Sequence, residues 1–242
     1  RVEMLNKAGK VLWSENIDDK VIRFYLSKNG KYLLVAFMAG REAGPIPYIY
    51  YDRSGKKLWS MEIEDAPIRL SSDGEYFGYS GALNTMEPSL MDWWELRDKN
   101  FNLIWKYKPK WQFNAVVLNG GRTLMVEGNK VKLYDKQGQK LREILIPEIT
   151  PYKFSYQFGS VLPMLGVGPY YLITAQDGRY VAFVYPRYKG KSKEWVLYSV
   201  DMNEGKWWSY LIEGGSHISW TKSIGMMDDG RYLLPVSYTH LR

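Results

Sequence analysis

Tyr51-Asp-Arg-Ser-Gly-Lys-Lys-Leu-Trp59 and Ser71-Ser-Asp-Gly-Glu-Tyr76 decide the fold, because both phrases recur. The first returns as Gly9-Lys-Val-Leu-Trp13 and Asn102-Leu-Ile-Trp105, which puts three tryptophans 46 residues apart. The second returns as Ser27-Lys-Asn-Gly-Lys-Tyr32 and, more loosely, Leu118-Asn-Gly-Gly-Arg122. A fixed period of this length marks a chain built by stacking one supersecondary unit. Asp-x-x-Gly and Ser-x-Asp-Gly are turn signals with a mechanism: the Asp oxygen caps local N–H groups, and Gly accepts the positive φ of a tight hairpin.

Working outward, each unit resolves into four strands. A short apolar first strand (Val21–Leu26, Phe113–Leu118) ends at the Gly turn, and a second follows directly (Lys31–Phe37, Glu75–Tyr79, Arg122–Val126, Arg179–Val184). A third ends in Asp52, Asp98, Asp135 or Asp201, and a fourth carries the Trp or its replacement, Arg142 or the Trp207-Trp208 pair. The second strands are apolar on both faces, which requires a layer on either side. Radial blades packed face to face supply those layers. The count is four complete units, 20–63, 66–108, 112–146 and 169–212, flanked by half-units at 2–17 and 216–236. The fold class is therefore an all-β propeller forming one domain over residues 1–236. The half-units either share one closing blade or belong to a larger ring, and we expect the larger ring.

The repeats resemble those of pyrroloquinoline-quinone-like β-propellers, whose units end in Asp-x-x-Gly-Lys-x-x-Trp, as do Asp52–Trp59 here. The Ser71–Tyr76 turn is similar to the Ser-Pro-Asp-Gly turn of tryptophan–aspartate repeat propellers. The resemblance covers nearly the whole chain and implies blades, without implying an activity. A quinone-dependent dehydrogenase of that kind would need a Trp stacking floor, a Ca²⁺ site and a catalytic Asp. None of these can be assigned in this sequence.

Composition narrows the function classes. The 242 residues include 20 Tyr and 10 Trp, which favour strands and fill gaps between sheets. With 33 Lys and Arg against 26 Asp and Glu the net charge is +7, but only Lys189, Lys191 and Lys193 crowd together. The basic residues read as a solvated surface, and no nucleic-acid partner is expected. The absence of Cys excludes disulfides and thiol chemistry, and no apolar stretch reaches the 18 or so residues of a spanning helix. Arg1 opens the chain inside a strand and Ser237–Arg242 breaks the repeat. We therefore expect a piece of a longer protein, with a non-native tail at 237–242.

Candidate sites follow from the strand assignment. Short turns gather on one face, and long connections at 38–47, 81–92, 147–168 and 186–193 gather on the other, where binding concentrates. The insertion presents Tyr152, Phe154, Tyr156 and Phe158, as a partner-binding loop or lid, or as a plug over the central channel. Arg23 and Arg69 follow Ile22 and Ile68, a pair that could reach a channel and bind an anion; solvated strand polarity is the plainer reading. The first strands lack Asp and Glu, so the axis offers no carboxylate pair for glycoside hydrolysis, although loop residues Glu87 and Asp92 remain. His217 stands alone, and His240 lies in the tail. The pairs Trp93-Trp94, Tyr170-Tyr171 and Trp207-Trp208 read as packing between blades rather than sugar platforms. The expectation is a binding or scaffolding module without cofactor, presenting loops to a protein or polysaccharide at a prokaryotic cell envelope or surface. The alternative is part of a quinone-dependent or carbohydrate-active propeller enzyme.

Overall fold

A computed structural model describes residues 1–17, 20–38, 45–63, 68–81, 93–111, 113–150, 170–189, 192–212, 223–226 and 233–236. It opens with a hairpin, β1 (Val2–Leu5) and β2 (Val11–Glu15). The first blade is β3 (Lys20–Leu26), β4 (Tyr32–Met38), β5 (Ile46–Asp52) and β6 (Lys57–Ile63). The second is β7 (Ile68–Leu70), β8 (Tyr76–Gly81), β9 (Trp93–Asp98) and β10 (Leu103–Tyr107). The third comprises β11 (Phe113–Val117), β12 (Thr123–Glu127), β13 (Lys130–Tyr134) and β14 (Lys140–Leu145). The fourth comprises β15 (Tyr170–Thr174), β16 (Tyr180–Lys189), β17 (Ser192–Asp201) and β18 (Lys206–Ile212), and β19 (Ser223–Met226) with β20 (Leu233–Val236) makes a final hairpin. Within each blade neighbours in sequence are neighbours in the sheet, all antiparallel. The fold is a β-propeller, seen here as an open, partial ring.

The recurring Asp closes each third-to-fourth turn. Asp52 Oδ1 accepts from the N–H of Ser54 at 2.8 Å and of Lys56 at 3.1 Å. Asp98 and Asp135 repeat this with Asn100 and Asn102, and with Gln137 and Gln139. Asn6 does the same for Ala8 and Lys10. In the first-to-second turns Ser27 Oγ and Ser71 Oγ accept from Tyr32 N and Tyr76 N, each at 3.0 Å.

The second strands are buried on both sides, as their composition demands. Leu33, Val35 and Phe37 of β4 pack against Met4 and Trp13 of the opening hairpin, while Leu34 and Ala36 face Ile68 and Phe77 of the second blade. Trp94 and Leu96 join the second blade to Ala115, Val117 and Met125 of the third. Leu124 and Val126 join the third to Val181 and Phe183 of the fourth. At roughly 25 cal/mol per Å² of apolar surface, these seams are the main stabilising term and the reason the blades stack.

One expected loop is a ribbon instead. Residues 186–189 and 192–193 extend β16 and β17, with Pro186 opposite Trp195 and Lys189 opposite Ser192. Arg187 donates to Glu194 across the strands at 2.9 Å. A cross-strand ion pair supports strand here, a signal that the density of Lys and Gly obscured in the sequence.

Candidate binding surface and channel mouth

Blade stacking repeats one arrangement near the third-to-fourth turns. From the opening hairpin through the third blade, one side chain of the last strand lies over the turn residue with positive φ in the next blade. A Cβ on Gly55 (φ +87°) would stand 2.7 Å from Trp13, and one on Gly138 (φ +82°) 2.8 Å from Trp105. At these two junctions the missing side chain of glycine leaves the room that the indole fills. In the second blade Phe101 takes the place of that glycine at φ 67°, and Trp59 meets it with ring centroids 5.1 Å apart. The Arg97 guanidinium sits 4.7 Å over the Phe101 ring, and Trp59 Nε1 donates to Lys99 O at 2.8 Å. At the next junction Arg142 approaches the Gly205 position at 3.8 Å.

The first-to-second turns are joined to one another as well. Lys28 N donates to Ser72 O at 2.8 Å and Asn29 Nδ2 to Asp73 O at 3.0 Å. Asp73 N donates to Asn119 Oδ1, and Gly120 N to Asp73 Oδ2, both at 3.0 Å. Arg122 then reaches Asp177 O at 2.9 Å. Tyr32 and Leu118 fill the space where a Cβ on Gly74 or Gly178 would stand. The turn face is thus one hydrogen-bonded surface running across four blades.

Where the inner turns converge, a cavity of about 270 Å³ opens. Val116–Leu118 and Leu172–Ala175 wall it, with Lys28, Ser72 and Gln176 among its lining residues. It offers a cation and hydrogen-bonding groups but no carboxylate. The described inner strands, β3, β7, β11, β15 and β19, carry no Asp or Glu. Acid–base chemistry on a glycosidic bond uses two carboxylates, and the described residues lining this mouth supply none.

The buried acids are already engaged. Glu127 accepts from Lys110 N at 2.6 Å and Tyr107 Oη at 2.9 Å and pairs with Lys132. Burial pushes the Glu127 carboxyl up, but Lys132, Lys110 N–H and Tyr107 together outweigh it and hold the group below its usual range. Glu95, buried on β9, pairs with Arg97 at 2.5 Å and Lys106 at 3.1 Å. These clusters clasp strands and linkers. Among the described residues no group of three or more His, Cys, Asp or Glu side chains is arranged to hold a metal ion.

Arg69 is exposed on β7 and pairs with Gly78. Arg23 lies on β3 opposite Ala36, beyond a register shift. Aligned on Ser27 and Ser71, the counterpart of Arg69 is Tyr25, so the two arginines stand at different levels of the inner strands. The side chain of Arg23 lies outside what is described. So do Tyr152, Phe154, Tyr156 and Phe158, Glu87, Asp92, His217 and the tail 237–242. The approach to the insertion is described: Ile146 and Ile149 are buried, Ile146 N donates to Asn129 O, and Ser209 Oγ meets Glu148 at 3.2 Å.

The aromatic pairs divide between blade faces. Trp94 is buried against the third blade, while Trp93 packs on Tyr79. Trp207 faces the third blade near Tyr198, and Trp208 points the other way with 53% of its surface exposed. Sequence reasoning could not choose between these last two. The Asp201–Gly205 turn is one residue longer than Asp52–Gly55, which shifts the phrase against its repeat. Strand register settles it. Trp208 lies opposite Ser199 as Trp59 lies opposite Tyr50.

No protein-family profile matches the chain, and no curated protein does. Solved structures share its fold. Hydrazine synthase of Kuenenia stuttgartiensis aligns with TM-score 0.52 at 14% identity, over 90% of this chain and 56% of that one. TolB from Acinetobacter baumannii aligns at 0.48 and 14%, over 96% and 52%. BamB from Moraxella catarrhalis aligns at 0.47 and 16%, over 91% and 57%. The chain spans about half the length of these structures. By fold the chain is a β-propeller.

Proposed function

We propose that this propeller is a non-catalytic binding module that presents its long connections to a protein partner at a prokaryotic cell envelope. The observation that carries the reading is the asymmetry of the two faces. Short turns interlock by hydrogen bonds on one face, and the longest connection, residues 146–169 between β14 and β15, joins blades at the opposite ends of the strands. Connections this long between neighbouring strands are commonly functional, and this one begins from the buried Ile146 and Ile149. Tyr152, Phe154, Tyr156 and Phe158 supply the aromatic contact area that protein interfaces favour. Arg23 and Arg69 remain candidates for an anion at the channel.

Site-specific photo-crosslinking tests the assignment. A photoreactive amino acid at positions 154 and 158 should give one discrete protein adduct in native extract, and the same probe at positions 53 and 136 of the turn face should not. Adducts from the turn face alone would contradict the reading. So would dye-linked alcohol oxidation after reconstitution with quinone and Ca²⁺.

A further inference from the structure

The first-to-second turns hold one position that the turn itself does not use. In Ser27-Lys-Asn-Gly30, Ser71-Ser-Asp-Gly74 and Ala175-Gln-Asp-Gly178 the later positions are committed. Asn29, Asp73 and Asp177 accept from the N–H two residues on, and the glycines supply positive φ. Ser27 and Ser71, which open two of the turns, accept from Tyr32 N and Tyr76 N. The second position is left to vary, as Lys28, Ser72, Asn119 and Gln176 from the first blade to the fourth. Asn119 is turned sideways, its Oδ1 accepting from Asp73 N. The other three converge on the cavity of about 270 Å³. Among the described residues neither the Ser72 hydroxyl nor the Gln176 amide has a hydrogen-bond partner.

The wall beside them is apolar, formed by Val116 and Leu118 of the third blade and Leu172 and Ile173 of the fourth. At the level of Val116 and Ile173 the second blade carries Arg69, each of the three standing two residues before its turn. Positive charge therefore gathers on the side of the first and second blades, and apolar surface on the side of the third and fourth. The volume exceeds the roughly 150 Å³ that holds benzene and falls short of the roughly 300–1,000 Å³ of drug-sized sites. Backbone N–H groups that could cradle a phosphate are spent, Gly120 N on Asp73 and Gly121 N on Leu118 O. We propose that this cavity binds a small carboxylate carried on an aliphatic body. The carboxylate meets Lys28, Ser72 and Gln176, and the body rests on Val116, Leu118, Leu172 and Ile173. The site lies on the turn face, away from the long connections, and does not rest on the partner reading above. In sequence the next such turn carries Asp228, which lies outside the described residues.

Calorimetric titration of the whole chain with hexanoate tests this. Hexanoate should bind, and hexanamide, its neutral counterpart, should bind about tenfold more weakly, as loss of a charge-assisted hydrogen bond does. Lys28→Gln should weaken hexanoate by a similar factor and erase its advantage over hexanamide, and Lys28→Arg should restore it. Lys28 is exposed, so both variants should fold, with circular dichroism as the check. In NMR spectra the methyl signals of Val116, Leu118, Leu172 and Ile173 should shift with hexanoate, while that of Leu34 in the first-blade seam stays in place. Acetyl-Ala-Val in place of hexanoate separates two sources of the same chemistry. Tighter binding of the peptide assigns the cavity to the C-terminus of a partner, tighter binding of hexanoate assigns it to a free acid, and either upholds the proposal. No binding of hexanoate or the peptide overturns it, as does binding untouched by Lys28→Gln. Preference for inorganic phosphate overturns it by leaving the apolar wall unused, and preference for hexylamine by giving the mouth a net negative charge. Photo-crosslinking from positions 154 and 158 should be the same in Lys28→Gln, so this proposal and the partner reading can fail separately.

Discussion

Trp59 and Trp208 occupy the same place in the register of their blades but live in different surroundings. Trp59 is covered by the next blade, stacked near Tyr50, Phe77 and Phe101 with its N–H bonded to Lys99 O. Trp208 sits at the matching ladder position with half its surface in water. The difference teaches that the blade makes the peg while the neighbouring blade makes the socket. Stability in this protein resides at junctions, as in other stacked-repeat architectures.

The largest test removes the two pegs in turn. Trp59→Ala should cost about 3–5 kcal/mol, the usual range for deleting a packed aromatic, and Trp208→Ala in dilute solution should stay within about 0.5 kcal/mol, as for surface changes. Thermal unfolding followed by circular dichroism reads both, and equal shifts in Tm would break the distinction. The sockets give a smaller contrast. Gly138→Ala meets both a disfavoured φ and the Trp105 ring at 2.8 Å, whereas Gly9→Ala meets only the φ. The left-handed penalty is about 1–2 kcal/mol, and the indole clash should add about 1–3 kcal/mol at Gly138 alone. Denaturant midpoints compare them.

The junction of the second and third blades also has an acid-sensitive clasp. Glu127 is held below its ordinary value of 4.5 in the fold. Its contribution is therefore fully present above pH 4.5 and is lost as pH falls through the lower folded value. Tm followed from neutral to acid pH should fall in that window, and the part due to this group should vanish in Glu127→Gln. The smallest effect belongs to Arg142→Ala. An exposed cation replaces the indole over Gly205, so the change should stay within about 0.5 kcal/mol in the same unfolding experiment.

The sequence carried the blade count because turn chemistry is local: Asp52, Asp98 and Asp135 cap residues two and four positions on, and Trp13, Trp59 and Trp105 keep their spacing. It lost what depends on register and on neighbours. The longer Asp201–Gly205 turn hid which of Trp207 and Trp208 is the peg. Phe101 broke the glycine pattern although it serves the same junction. The bonds of Asp73 to Asn119 and Gly120 join turns more than forty residues apart, and no motif announces them. Arg23 and Arg69 matched by their neighbours in sequence, whereas the ladder pairs Arg69 at the level of Tyr25. The aromatic residues of the insertion, Tyr152, Phe154, Tyr156 and Phe158, were read from composition alone and lie outside the described residues.

Indole N–H exchange, followed by NMR with each signal assigned through single Trp→Phe variants, tests the account most directly. In dilute solution the N–H groups of Trp13, Trp59 and Trp105 should be protected, the first and third because their nitrogens are buried and the second because it is hydrogen-bonded. Trp208 should exchange fast. Equal exchange at all four, or protection of Trp208 with Trp59 open, would contradict a structure held together by indoles seated in neighbouring turns.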